Sequence, residues 1–288
     1  NTEINLQDAI TLNEVNKILE ATKMLLMSIT LSQFLRNFTL MRLCLVLGFL
    51  FGTIGAFGQE VWITPNQGQW IDSIDFSIPV TSGRIHGGKD GLNYLLYQLP
   101  HGHDNHEQGA FRIHSIHQRF LNHLPAIPAF EGSASSHYSN FFVGSDSSRW
   151  KSNVRDYQTV RYPSFYPNID LIYTTEKEQL SYNFKIYPNG QPEDISFELL
   201  GATSAVLNDR KELEIHHDFG QIVQSAPKAW WYLHGKEHPL KVQFMEREGV
   251  WKFELKKYPL NFDRIYIDPY LTFSTFSGTS VDNWGFTA

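Results

Sequence analysis

Gln179-Leu180-Ser181-Tyr182-Asn183-Phe184-Lys185-Ile186 is the stretch whose pattern decides the fold. Leu180, Tyr182, Phe184 and Ile186 recur at every second position, with Ser181, Asn183 and Lys185 between them. That is the period of a strand with one face buried; a helix would scatter the four apolar groups around its axis.

Outward from this segment, the chain beyond residue 59 breaks into short runs rich in Val, Ile, Tyr, Phe and Trp, punctuated by Gly, Pro, Asn and Asp. Strands are predicted at 74–80, 84–86, 91–98, 110–120, 159–162, 169–174, 179–186, 195–200, 212–216, 222–225, 228–233, 241–245, 251–255 and 265–267. Turn signals fall at Gly87-Gly88, Pro188-Asn189-Gly190, Asn208-Asp209 and Glu248-Gly249, the last reading as a hairpin. Links this short join antiparallel strands, because parallel ones need crossovers of about a dozen residues. The expectation is an all-β, mostly antiparallel β-sandwich or pair of stacked sheets, preceded by a helical signal-peptide segment. Leu121 to Asp156 is the main segment expected to be irregular, with one short helical turn at Arg149-Trp150-Lys151 capped from Ser145–Ser148.

Met41 to Gln59, MRLCLVLGFLFGTIGAFGQ, has the order of an export signal. Arg42 supplies the charged start and Leu43 to Ile54 the apolar run. Ala56 and Gly58 are the small residues ahead of cleavage between Gly58 and Gln59. Residues 1–40 carry apolar groups at helical spacing, among them Ile10, Val15, Ile18 and Leu25. They are expected to be an over-extended reading frame or part of a fragment, with Met41 the true start.

Composition constrains the chain beyond the signal. Of the 288 residues 42% are hydrophobic and 14% aromatic, enough apolar surface for a core and too much for a disordered polymer. The one cysteine, Cys44, leaves with the signal, so stability outside the cytoplasm must come without a disulfide. A formal charge of −6 with acids and bases interspersed argues against nucleic acid, which needs a concentrated basic face.

A set of collinear strings carries a resemblance. They are Asn66-Gln67-Gly68-Gln69-Trp70, Tyr138-Ser139-Asn140-Phe141-Phe142-Val143-Gly144, Trp150, Val154 and Phe165-Tyr166-Pro167-Asn168-Ile169-Asp170-Leu171-Ile172-Tyr173. Leu180 to Phe184, Pro188, Gly190, Ala226-Pro227-Lys228-Ala229-Trp230 and Ile267-Asp268-Pro269-Tyr270-Leu271 continue the set. Together they resemble the N-terminal β-rich domain, of unassigned function, of large secreted surface proteins from gliding bacteria. Those proteins carry SBBP (β-propeller-type) repeats and gliding-motility-associated or type IX sorting C-termini. Phe273-Ser274-Thr275-Phe276-Ser277-Gly278 resembles the first strand of such a repeat. The likeness runs from residue 66 to 288, departing at Trp230-Trp231, where the family shows a single aromatic, and the repeat stops after one strand. It implies residues 59–270 as a β-rich module and 271–288 as a truncated repeat, at the front of a longer secreted or cell-surface protein. No catalytic residue comes with it.

Three groups of side chains suggest chemistry. His101, His103, His106, His114, His117 and His123 cluster, with His86 and His137 nearby; His103, His106 and His114 are the candidate metal ligands. No HExxH or CxxC accompanies them. Asp72, Asp75, Asp90, Asp104, Asp170, Asp194 and Asp268 lack the spacing of a calcium loop, and Asp170 and Asp268 are expected to accept backbone N–H groups at turns. Trp230, Trp231 and Tyr232 form a candidate aromatic platform for sugars, with Trp230 and Tyr232 on one face of a strand and Trp231 on the other. Serine-nucleophile and phosphate-loop motifs are absent. The resulting expectation is a non-catalytic structural or adhesive module with no cofactor. It meets extracellular or cell-surface ligands, glycans among them, and the downstream domains of its own chain, and it meets a membrane only through the export signal. The alternatives are a carbohydrate-binding or hydrolase-accessory domain, and a His-rich metal-binding module.

Overall fold

The computed structural model describes residues 61–81, 83–98, 111–175 and 179–275, all within the unit Gln59–Ala288. The expected extension 1–40, the signal 41–58, His101, His103, Asp104, His106 and the stretch 276–288 lie outside the described residues.

Every strand pair in the described residues is antiparallel. Numbered along the chain, an eight-stranded sheet runs β1 (Thr64–Pro65), β2 (Phe76–Val80), β3 (Gly83–Gly88), β4 (Gly91–Gln98), β5 (Arg112–Phe120), β12 (Ser196–Leu200), β19 (Val250–Leu255), β18 (Val242–Arg247). A seven-stranded sheet runs β17 (Lys236–Leu240), β16 (Lys228–Leu233), β20 (Arg264–Asp268), β11 (Ser181–Ile186), β10 (Ile169–Thr174), β9 (Thr159–Tyr166), β6 (Ala129–Glu131). A four-stranded sheet holds β13 (Ser204–Leu207), β14 (Leu213–His217), β15 (Gly220–Gln224) and β21 (Leu271–Thr275), and β7 (Tyr138–Phe141) pairs with β8 (Lys151–Arg155). The expected all-β, antiparallel layered fold is the one observed. Among the described residues no helix is long and apolar enough to cross a membrane.

The alternation in β11 is realised as read, with Tyr182, Phe184 and Ile186 buried and Ser181, Asn183 and Lys185 turned the other way and only partly covered. Phe120 of the eight-stranded sheet lies 5.5 Å from Phe184 and 6.0 Å from Tyr182 on the seven-stranded sheet, both edge-to-face. Phe76 meets Tyr173 at 5.4 Å, and Phe184 meets Phe253 at 5.9 Å. These contacts close the two large sheets on each other. Each fully buried side chain of this size stabilises the fold by about 1.5–3 kcal/mol, which is how a domain without disulfides holds together.

Turn chemistry fixes the hairpins. Glu248 (φ 55°) and Gly249 (φ 81°) both take left-handed backbone, the type I′ turn that matches strand twist, so the predicted β18–β19 hairpin forms. His234 (φ 50°) and Gly235 (φ 75°) do the same between β16 and β17, a hairpin that pattern reading misses. Pro239 hides β17 in the sequence, and it is tolerated because β17 is an edge strand.

The segment 121–156 is more ordered than expected. It contributes β6 to the seven-stranded sheet and forms β7 and β8, whose mutual register is interrupted between Ser139 and Phe141. Short strands with a broken register leave no readable alternation. The helical turn is a 3-10 turn at Ser147–Arg149, two residues ahead of its expected place, because Asp146 accepts the Ser148 N–H at 3.0 Å. β21, read as the start of a repeat, is hydrogen-bonded along β15 from Gly220↔Thr275 to Gln224↔Leu271.

At the centre a chain of buried polar groups joins all three larger sheets. Tyr94 on β4 donates its hydroxyl to Gln118 Oε1 on β5 at 2.7 Å. Gln224 Nε2 on β15 donates to the same oxygen at 2.8 Å, and Tyr182 on β11 donates to Gln224 Oε1 at 2.6 Å. Gln118 and Gln224 are fully buried. Burial pushes the Tyr94 and Tyr182 hydroxyls well above the ordinary phenol range, so both remain donors. Gln118→Leu takes the shared acceptor from Tyr94 and Gln224 together and should cost about 1–3 kcal/mol, whereas Tyr94→Phe removes one donor from an oxygen that keeps another and costs about 1 kcal/mol. Urea unfolding should rank the two variants in that order, and equal stability of Gln118→Leu and the parent chain would exclude a structural role for the node.

Candidate functional site

β16 lies between β17 and β20, and the pleat sorts its aromatic run. Ala229 and Trp231 point toward the core with Ile265 and Ile267, and Trp231 packs against the core cluster. Trp230 and Tyr232 take the outer face. Cross-strand register sets Trp230 beside Tyr266 and Tyr232 beside Arg264 on β20.

The outer face is therefore built from Trp230, Tyr232 and Tyr266. Trp230 stacks on Tyr266 with centroids 5.5 Å apart and planes 18° apart, and Tyr232 meets Tyr266 edge-on at 6.0 Å. All three rings are half-buried. Arg264 places its guanidinium carbon 4.3 Å over the Tyr232 ring, and the Tyr232 hydroxyl donates to Glu237 at 2.6 Å. That carboxylate raises the Tyr232 hydroxyl above its ordinary range. Further along the face, Lys185 sits 4.9 Å over Tyr187. Rings held by one another and by neighbouring cations are ordered before any ligand arrives, so little side-chain entropy is lost on contact.

Of the three aromatic residues singled out from sequence, the structure brings Trp230 and Tyr232 to the outer face. Trp231 is separated from them, inward and stacked on His238 at 4.3 Å and 18°. Tyr266 went unread as a site residue. Its signal was its place between Ile265 and Ile267, which puts it outward once those two are buried.

The histidines among the described residues do not converge on one point. His114 has both ring nitrogens engaged, Nε2 with the Gly201 carbonyl at 2.8 Å and Nδ1 with Asp218 at 3.3 Å. His217 lies 5.7 Å from His114; burial, then the neighbouring His114, pulls it down to about 4, so it is neutral at neutral pH. His86 and His117 are on the opposite face of their sheet from His114, flanking Asn93 across β3, β4 and β5. With Asp90 and Leu95 they line a groove of about 440 Å³. His123 stacks flat on Phe165 at 4.7 Å. No group of three or more His, Cys, Asp or Glu among the described residues is placed to hold a metal. His103 and His106, the other two candidate ligands, lie outside those residues.

Asp170 and Asp75 bond to partners within the fold. Asp170 is buried inside β10, where Oδ1 accepts the Ser164 N–H at 2.7 Å and Oδ2 takes Tyr187 at 3.0 Å and Arg161 at 3.3 Å. The expected backbone acceptor role holds, at a bulge in the β9–β10 register and not at a strand end. Asp75 accepts from Tyr162 at 2.9 Å, and burial raises its carboxyl above the usual range.

Residues 63–270 match the family model described as Domain of unknown function (DUF7948). No curated protein matches, and no solved structure matches. The match begins at Ile63, where the first bridge to Tyr157 forms, and ends immediately before β21.

The two tryptophans should part company when truncated. Trp231→Ala removes a core-packed ring and should cost about 2–3 kcal/mol, and Trp230→Ala about 1 kcal/mol. Denaturant melts of both variants check this, and a larger loss at Trp230 would contradict the inward facing of Trp231.

Proposed function

This chain belongs to the DUF7948 family, and from that premise we propose that it is a non-catalytic binding module that holds extracellular glycans on the outer face of its seven-stranded sheet. In this reading the module serves a secreted, surface-displayed protein in a structural or adhesive role, as part of a longer chain with SBBP-type repeats, gliding-associated or otherwise. The export pattern at 41–58 supports the location.

The observation that carries the reading is the Trp230–Tyr266 pair with Tyr232 beside it, half-buried on a continuous sheet. Aromatic faces suit the C–H faces of pyranose rings, and nearby fixed donors and acceptors suit their hydroxyls. Sheet-mounted rings hold their spacing better than rings on loops. Acids committed to internal partners, the buried Asp170 and the half-buried Asp75, support a contact role over bond cleavage.

Native gel electrophoresis of the chain through gels containing single soluble polysaccharides, neutral and acidic, tests the proposal. Retardation by at least one polymer, reduced about tenfold in apparent affinity by Trp230→Ala with the fold intact, is the expected result. Unretarded migration through the whole panel, or retardation indifferent to Trp230→Ala, would remove the basis for the proposal.

A further inference from the structure

We propose that the glycan is acidic, and that a three-lysine cleft beside the aromatic pair takes its carboxylate or sulfate groups; this rests on the glycan-binding reading above.

The cleft, of about 430 Å³, lies where β16 and β17 of one sheet approach β18 and β19 of the other. The chain passes between the sheets through Leu240-Lys241-Val242, and the Lys256 N–H donates to the Lys241 carbonyl at 2.9 Å, tying the two rims together. Lys228, Lys241 and Lys256 line it. None of the three takes part in an ion pair among the described residues. The carboxylate in the lining, Glu254, accepts from Gln243 Nε2 at 2.5 Å, so part of its capacity is already used. Asp268 stands across from Lys228 on β20.

Lys228 links the cleft to the aromatic face. It lies two residues before Trp230 on β16, exposed on the same side of the strand, about 6.6 Å along its axis. A polymer whose ring stacks at Trp230 therefore sets its next unit at the mouth of the cleft. Arg264 over Tyr232 and Lys185 over Tyr187 add positive charge on the same face without an ion-pair partner among the described residues. Of the carboxylates on this face, Glu237 is committed to Tyr232 and Asp170 to Arg161 and Tyr187, and Asp268 is the acid beside Lys228. Charge complementarity thus favours an anionic polymer even though the chain as a whole is acidic.

The test uses the whole chain and three polymers of matched length: dextran, polygalacturonate and dextran sulfate. The acidic polymers should bind about tenfold tighter than dextran at low salt, with the advantage shrinking as salt rises, since exposed charge contacts are screened. Lys241→Ala/Lys256→Ala, which leaves the aromatic rings, Lys228, Lys185 and Arg264 in place, should cut that advantage to about threefold or less while binding to dextran stays unchanged. Preference for polygalacturonate or for dextran sulfate assigns the cleft to carboxylate or to sulfate. Equal binding of acidic and neutral polymers by the parent chain, or an acidic preference undiminished by the double substitution, would overturn this inference and leave the aromatic reading standing. Loss of all binding in the parent chain would overturn both.

Discussion

The buried run Tyr94–Gln118–Gln224–Tyr182 is the constraint on which the architecture depends. Apolar packing between sheets is non-directional and would tolerate small slides of one layer over another. An amide oxygen shared by a phenol from its own sheet and an amide from another resists such slides, because each bond lost to a slip strands a further donor in a dry interior. Three sheets are therefore set in one register by three hydrogen bonds, and the aromatic contacts around Phe120 and Phe184 fill in about that point. Since Gln224 sits on β15, the pairing of β21 with β15 ties the residues just past the family-matched segment into the same body.

That rigidity is what the outer face of the seven-stranded sheet draws on. Trp230, Tyr232 and Tyr266 gain their spacing from the β16–β20 register, and that register is held from beneath by Ile265, Ile267 and Trp231 in the core. The face is thus positioned by groups it does not display. A ligand-binding role suits such a fixed, ring-bearing surface better than it suits the scattered histidines, whose nitrogens at His114 are committed to Gly201 and Asp218.

Much of the fold was legible because it is written with period two. Leu180 to Ile186 and the split of Trp230 and Tyr232 from Trp231 need only the pleat. What escaped reading depends on non-local or local detail without period. Tyr266 joins Trp230 only through a pairing between strands distant in sequence, and the lysines of the cleft meet only where the chain changes sheets. β17 was masked by Pro239 and a His-Gly turn, and β6 to β8 by their brevity and broken register. Gln118 and Gln224 did leave a trace, as polar residues at core positions beside Ile116, Phe120 and Ile222. Pattern alone gives no partner for such a residue, so the node required the structure.

Native-state hydrogen exchange, read strand by strand, addresses the central claim most directly. If one polar node binds the sheets into a single cooperative body, amides of β4, β5, β11 and β15 should open with one shared free energy, close to that of global unfolding. Exchange from β14 and β15 through a separate, much lower-energy opening, with β4, β5 and β11 still protected, would contradict it.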